Sequence, residues 1–313
     1  MKILVADKLS PEGLQVLKQA SGVEVEVKAG LTEDELAEAV VDAQALVIRS
    51  GAKVTRKVIE AARELKVIGR AGVGVDNVDL EAATERGIVV MNTPDGNTIA
   101  AAEHTVGLIL ALARNIPRAN ESLRQGQWER AKFVGAELNG KTLGVVGLGR
   151  IGSHVARVAQ ALRMKVIAFD PYYSAERAAE AEVELVDLEQ LFSRADIVTL
   201  HVPATDETRG MVNARMLEKM KPGAFLINCA RGALVDEKAL EEALAAGRLA
   251  GAALDVFANE PPGDFELLRL PNFLSTPHIG GSSEEAILAM GRAAIEGLDR
   301  NAVPSADYPP EYN

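Results

Sequence analysis

Short apolar runs rich in Val and Ile alternate along this chain with longer stretches whose apolar residues recur at helical spacing. That is the pattern of βαβ units built on a parallel sheet. In the first third, residues 3–6, 23–27, 45–48, 67–68 and 88–90 read as strands. Between them, Thr32-Glu33-Asp34-Glu35 opens a helix with a capping box, in which Thr32 accepts from the helix N-terminus and Glu35 reaches back. Thr55 is placed to cap a helix over residues 56–63 in the same way. Residues 98–112 are apolar on most faces and carry His104 near their middle; the polar stretch that follows, through Trp128 and Lys132, reads as an excursion or a subunit contact. From Thr142 the alternation restarts, with strands expected at 143–146, 166–169, 197–200, 224–227, 251–254 and 273–275. Helical segments such as 153–162 and 237–246 separate several of them.

Two successive runs of this kind predict an α/β chain of two doubly wound parallel-sheet domains with a cleft between them. The last helix, residues 284–300, follows the second run and can return to the first domain. The tail from residue 303, with three prolines and two tyrosines, is expected to hold no regular structure.

Composition narrows the function. Of 313 residues, 48% are hydrophobic and 25% charged, the balance of a globular protein large enough for two cores. Asp and Glu number 45 against 34 Lys and Arg, a net charge of −11. That argues against general affinity for nucleic acid or anionic membrane, which needs clustered positive charge. The single cysteine, Cys229, allows no internal disulfide and fits a reducing compartment. The N-terminus reads directly as a strand, and no uncharged stretch reaches the ~20 residues that span a bilayer. The expected location is the cytoplasm.

Gly147-Leu148-Gly149-Arg150-Ile151-Gly152 is a G-x-G-x-x-G run lying between an expected strand and an expected helix. Gly147 permits the tight turn, Gly149 lets the backbone approach a pyrophosphate, and Gly152 lets helix and strand pack closely; the helix N-terminus then faces the phosphates. Asp170 ends the next strand, where a carboxylate accepts from ribose hydroxyls and repels a 2′-phosphate. No arginine follows in Pro171-Tyr172-Tyr173, so the expected cofactor is NAD.

Four histidines can be weighed singly. His104, inside an apolar helix, reads as a hydrogen-bonded core residue, and His154, just after the glycine loop, as packing or surface. His201, in His201-Val202-Pro203 at a strand end, reads as cofactor lining. His278 stands between Pro277 and the pair Gly280-Gly281, at the carboxyl edge of the sheet where ligands bind. An imidazole, with its ordinary pKa of about 6.5, takes and returns a hydroxyl proton near neutrality. Glu260, whose loop is stiffened by Pro261 and Pro262, is the candidate to orient it. Arg231, after another strand end, can hold a carboxylate by paired bonds and polarise a carbonyl. Metal-ligand spacings and a G-x-S-x-G elbow are absent from the sequence, and no metal is expected.

The glycine loop, Asn228-Cys229-Ala230-Arg231-Gly232, Ala253-Leu254-Asp255-Val256-Phe257 through Glu260-Pro261-Pro262, and Pro277-His278-Ile279-Gly280 together resemble the D-2-hydroxyacid dehydrogenases over nearly the whole chain. The resemblance implies a catalytic trio of Arg231, Glu260 and His278. It also implies NAD contacts at Arg150, Ile151, Asp170, His201, Val202, Pro203, Cys229, Ala230, Asp255, Gly280 and Gly281. By the same resemblance, residues 97–283 form a Rossmann-type NAD-binding domain. Residues 1–96 with 284–313 form a flavodoxin-like substrate domain. The long helix near residue 105 joins a homodimer or homotetramer.

Within the family the likeness is strongest to members that oxidise a phosphorylated hydroxy acid in the first step of serine synthesis. It is carried by Val47-Ile48-Arg49-Ser50, residues 69–79 and Trp128-Glu129-Arg130. Arg49 and Arg70 fall at strand ends and can grip a phosphate of a small anionic substrate. Backbone N–H groups of Gly72, Val73 and Gly74 can form a nest for its carboxylate, with Ser50 nearby in sequence and Arg130 or Lys132 arriving from a partner subunit. Val73 stands where a threonine is often found, so a side-chain bond to cofactor is lost there. Long members carry further C-terminal domains, one of them serine-sensing; a chain ending at Asn313 resembles the short form, without serine feedback of that kind. Two alternatives stay open: another 2-oxoacid reductase, of the glyoxylate, hydroxypyruvate, lactate or sulfonated-analogue type, and an NADH-sensing binding protein on the same fold.

Overall fold

The structure, a computed structural model, describes residues 1–9, 11–19, 21–93, 95–263 and 266–301; the tail from residue 303 lies outside the described residues. The chain divides into two compact units, Met1–Thr98 with Gly281–Asn313, and Ile99–Gly280.

The first unit holds a five-stranded parallel sheet of β1 (Lys2–Val5), β2 (Glu24–Val27), β3 (Ala45–Ile48), β4 (Val67–Arg70) and β5 (Val89–Met91), in the order β2-β1-β3-β4-β5. Helices α1 (Pro11–Gln19), α2 (Glu33–Ala39), α3 (Arg56–Ala61) and α4 (Leu80–Glu85) connect the strands, and the C-terminal helix Glu284–Asn301 packs on α1, β4 and β5. Side chains alternate across each strand, so the sheet feeds two cores. Leu4, Leu46, Ile48 and Ile68 pack with Leu36, Val58 and Ile59 on one face. Ile3, Val5, Val47 and Val67 pack with Leu17 on the other. With both faces covered, all four residues of β3 are buried, which is why its sequence is an unbroken apolar run.

The second unit opens with helices α5 (Thr98–Ala113) and α6 (Ile116–Arg124). Its parallel sheet comprises β6 (Thr142–Val146), β7 (Lys165–Phe169), β8 (Glu184–Leu185), β9 (Ile197–Leu200), β10 (Phe225–Asn228), β11 (Gly251–Leu254) and β12 (Phe273–Ser275). Their order is β12-β11-β10-β9-β6-β7-β8. Helices α7 (Arg150–Ala161), α8 (Ala175–Glu180), α9 (Leu188–Arg194), α10 (Ala214–Lys219) and α11 (Glu237–Ala245) cover it. The order reverses between β6 and β9, the switch point at which doubly wound sheets open a crevice at their carboxyl edge.

Every strand expected from the sequence is present. The capping box at Thr32 forms, with Thr32 N–H donating to Glu35 Oε2 at 2.8 Å and Glu35 N–H donating to Thr32 Oγ1 at 3.4 Å. Thr55 takes the N-cap position of α3 but makes no capping bond; its hydroxyl donates to Glu33 at 2.5 Å, and α3 ends at Ala61. The polar stretch after α5 contains a helix the pattern did not announce: α6 starts from Asn115 at φ 53 with Pro117 in its first turn, a position that needs no amide donor. Among the described residues no single helix is long and apolar enough to cross a membrane; α5 and α6 pass by length and composition only as a pair bent by 63°.

Candidate active site

All strands of the second sheet are parallel, so the loops after β6, β7, β9, β10, β11 and β12 leave from one edge. After β6 the chain turns at Gly147 (φ 95), against which the β9 loop packs. A Cβ there would lie 2.8 Å from the carbonyl oxygen of His201. α7 begins within the glycine run, at Arg150, and a Cβ on Gly152 would sit 2.0 Å from Gly147 O. A Cβ on Gly149, in contrast, would meet nothing within 4 Å. The loop is therefore closed underneath and open above, with the α7 N-terminus behind it, as a dinucleotide pyrophosphate requires. Asp170, just beyond β7, accepts from Leu148 N–H at 2.8 Å and from Tyr172 N–H at 2.9 Å, which aims its carboxylate at the glycine loop.

His201 lies beside Thr199, with its Nε2 3.0 Å from the hydroxyl oxygen. Burial pushes its pKa down to about 4, so it lines the edge as a neutral ring. Cys229 is also no reagent: burial pushes its thiol up to about 12, and its neighbour Thr105 does not offset that.

After β10, the buried Asn228 holds the next turn by donating to Arg231 O at 2.8 Å and accepting from Ala230 N–H at 3.0 Å. Arg231 Nη1 donates to Ala230 O at 2.7 Å. Its neighbour Gly232 touches the loop after β11 so closely that a Cβ would lie 1.8 Å from Phe257 C. The Arg231 and Glu260 loops are thus packed backbone to backbone. Glu237, at the start of α11, further ties this loop by accepting from Ala258 N–H at 2.7 Å.

Glu260 and His278 meet directly. Glu260 Oε2 lies 2.7 Å from His278 Nδ1, and Oε1 accepts from Phe257 N–H at 3.1 Å. Both side chains remain open to solvent, at 38% and 42% exposure, so the pair faces outward and not into the core. With Nδ1 engaged, Nε2 is the nitrogen left for a substrate. Asp255 anchors the same loop from a buried position, accepting from Ile279 N–H at 2.8 Å and Gly280 N–H at 2.7 Å. Burial works to raise its pKa, but the bonds from His104, Thr276, Ile279 and Gly280 outweigh burial and hold it below the ordinary carboxylate value.

In the first unit, the turn after β3 is built on Asp7, which accepts from Arg49 N–H at 2.7 Å and Ala52 N–H at 3.0 Å. Asn77 donates to the carbonyls of the same two residues, both at 2.7 Å. Arg49 therefore projects from a fixed turn, and Ser50 is exposed beside it. Arg70, the last residue of β4, folds back across Gly72; a Cβ on Gly72 would lie 1.4 Å from Arg70 Nη1, so the guanidinium would have to move to admit one. Asn92 Nδ2 donates to Val73 O at 2.6 Å, and Thr93 N–H to Gly72 O at 2.9 Å. Gly281 groups with this unit, against Asn97. Arg130 and Lys132 belong to the second unit, on a 3₁₀ turn where Lys132 pairs with Glu129 at 2.5 Å. Among the described residues, no group of three or more His, Cys, Asp or Glu could hold a metal ion.

Pattern reasoning missed the supporting residues Asp7, Asn77, His104, Asn228 and Thr276. His104, expected to be a hydrogen-bonded core residue, is hydrogen-bonded, to Thr276 beyond β12, but half-buried at 20% side-chain exposure. A lone polar ring in an otherwise apolar helix was the available signal.

Residues 106–280 match the family described as D-isomer specific 2-hydroxyacid dehydrogenase, NAD binding domain. The chain is 54% identical over 285 residues to a D-3-phosphoglycerate dehydrogenase of Synechocystis sp., covering 91% of this chain and 51% of the relative. It is 54% identical over 301 residues to a D-3-phosphoglycerate dehydrogenase of Methanocaldococcus jannaschii, covering 96% and 57%. It thus spans about half the length of these curated relatives. A solved structure of a protein from Thermus thermophilus superposes with a TM-score of 0.89 at 41% identity, covering 95% of this chain and 96% of that one. The chain belongs to the D-isomer specific 2-hydroxyacid dehydrogenases, and its second unit carries their NAD-binding domain.

Proposed function

We propose that this chain is an NAD-dependent oxidoreductase acting at C2 of a D-2-hydroxy acid, and that its substrate is D-3-phosphoglycerate, oxidised to 3-phosphohydroxypyruvate at the start of serine synthesis. The observation that carries the reaction type is the 2.7 Å His278–Glu260 pair at the carboxyl edge of the NAD-domain sheet. The substrate assignment draws on the names of the relatives and on the fixed turns that present Arg49 and Arg70.

NAD supplies the hydride acceptor at C2. His278 Nε2 takes the hydroxyl proton, and Glu260 steadies the imidazolium that results. Arg231 holds the substrate carboxylate and polarises the carbonyl in the reverse direction. Gly147, Gly149, Arg150, Ile151 and Gly152 receive the pyrophosphate, and Asp170 takes the adenosine ribose. His201, Val202, Pro203, Cys229, Ala230, Asp255, Gly280 and Gly281 line the remainder of the cofactor site. The substrate phosphate falls to Arg49 and Arg70 and its carboxylate to the Gly72–Gly74 amides, with Ser50 adjacent. A second copy supplies Arg130 or Lys132, joining through the α5–α6 arm, where Ile99, Ile116, Leu123, Trp128 and Val134 are all more than half exposed. The enzyme works as a homodimer or homotetramer in the cytoplasm.

A panel of D-2-hydroxy acids with NAD, read as NADH formed, tests this reading. Phosphoglycerate is expected to give the highest kcat/KM. Faster oxidation of glycolate, glycerate or lactate would transfer the chain to another substrate, and NADH binding without any turnover would make it a sensor.

A further inference from the structure

His278 holds a left-handed backbone conformation, φ 53. Residues other than glycine adopt that conformation uncommonly and at a cost that their surroundings offset. The offset comes from one residue, Asp255, through its carbonyl and its carboxylate. His278 N–H donates to Asp255 O at 2.8 Å, Ile279 N–H to Asp255 Oδ1 at 2.8 Å, and Gly280 N–H to Asp255 Oδ2 at 2.7 Å. The Thr276 hydroxyl donates to Asp255 Oδ1 at 2.5 Å. Asp255 is thereby gripped by four groups of a single five-residue loop, none of which ties that loop to a helix.

His104 supplies the tie. Its Nε2 lies 3.0 Å from Thr276 Oγ1 and 3.4 Å from Asp255 Oδ1. An ionised carboxylate only accepts, so the single hydroxyl proton of Thr276 is committed to Asp255. Thr276 Oγ1 can then only accept from His104, which fixes a proton on His104 Nε2. The ring also packs on Gly280, where a Cβ would lie 3.6 Å from His104 Cδ2. α5, which carries His104, is anchored by the buried Ala101, Ala102, Thr105, Leu108 and Ile109 and does not itself contribute to the reacting groups named above.

We propose that His104 is a positioning residue, which through its Nε2–H bond to Thr276 and its approach to Asp255 fastens the His278 loop to α5 and so sets the aim of the catalytic imidazole. The proposal rests on the reading of His278 as the base. It gives α5 a part in turnover that its apolar sequence does not suggest.

Two full-chain variants test it, His104→Leu, which cannot donate, and His104→Gln, whose amide can. Steady-state kinetics, thermal midpoints and amide hydrogen exchange at Ile279 and Gly280 are compared with wild type. His104→Leu is expected to lower kcat about 10- to 100-fold, the scale of a misplaced catalytic group, with a smaller change in KM. It is also expected to speed exchange at those two amides about 10-fold while global stability holds. His104→Gln is expected to recover most of both. Wild-type exchange and kcat in His104→Leu would overturn the proposal. So would a uniform loss of stability that His104→Gln does not relieve. If the wild-type chain oxidises no hydroxy acid, the reading of His278 as base fails, and the exchange arm alone decides whether His104 holds the loop.

Discussion

His278 Nδ1 and Glu260 Oε2 stand 2.7 Å apart, while the other oxygen of Glu260 is held at 3.1 Å by Phe257 N–H. The carboxylate is thus pinned on one side and orients the ring with the other, leaving Nε2 as the basic nitrogen. Glu260→Gln keeps the shape but removes the charge that balances imidazolium, and its amide can turn a donor toward Nδ1, favouring the wrong tautomer. Its turnover should fall by about 10²-fold or more with NADH affinity within about threefold of wild type by fluorescence titration. A Glu260→Gln chain of normal kcat would show that the pair is structural.

Asp170 accepts from Leu148 N–H and Tyr172 N–H, so its charge is fixed beside the glycine loop. In the proposed cofactor site, Asp170→Ala removes both the ribose acceptor and the repulsion of a 2′-phosphate. The ratio of kcat/KM for NAD over NADP should drop about 10- to 100-fold, most of it through weaker use of NAD. Kinetics with both cofactors check it; an unchanged ratio would place cofactor choice elsewhere.

Arg70 lies across Gly72, in the space a Cβ there would take. A charge-assisted contact is worth about 2 kcal/mol. Arg70→Ala should therefore raise KM for phosphoglycerate about 30-fold and leave KM for an unphosphorylated acid such as D-glycerate nearly unchanged. Equal effects on both substrates would mean that Arg70 serves the carboxylate or the fold and not the phosphate.

The neutral ring of His201 makes stability depend on pH. Burial lowers its folded pKa from 6.5 to about 4. Between those values the unfolded chain binds a proton that the folded chain refuses, so the contribution is complete above pH 6.5 and is lost as pH falls toward 4. The full loss is on the order of 3 kcal/mol. His201→Gln, which cannot titrate, should show a shallower fall in urea midpoint between about pH 7 and about pH 4.5. An identical acid slope in both chains would contradict a half-buried histidine held neutral.

Much of this was legible from the chain alone, because central strands of parallel sheets are buried on both faces and read as continuous apolar runs, as β3 does. β8 escaped because it is a two-residue edge strand, Glu184–Leu185, with no buried position. α6 escaped because Pro117 masks a helical start. His278, Glu260 and Arg231 stood out because each follows a strand end among prolines or glycines. Their supports did not: Asp7 finds its partner 42 residues away in Arg49, and His104 finds Thr276 172 residues away. Pairings at such separations leave no local period to read.

The most direct test of His278 as the base is a side-by-side measurement of NADH formation from D-3-phosphoglycerate by wild-type and His278→Ala chains, with NADH affinity titrated in both. The expected result is a loss of turnover of about 10²- to 10⁴-fold at nearly unchanged NADH affinity. Turnover by His278→Ala at the wild-type rate would contradict it.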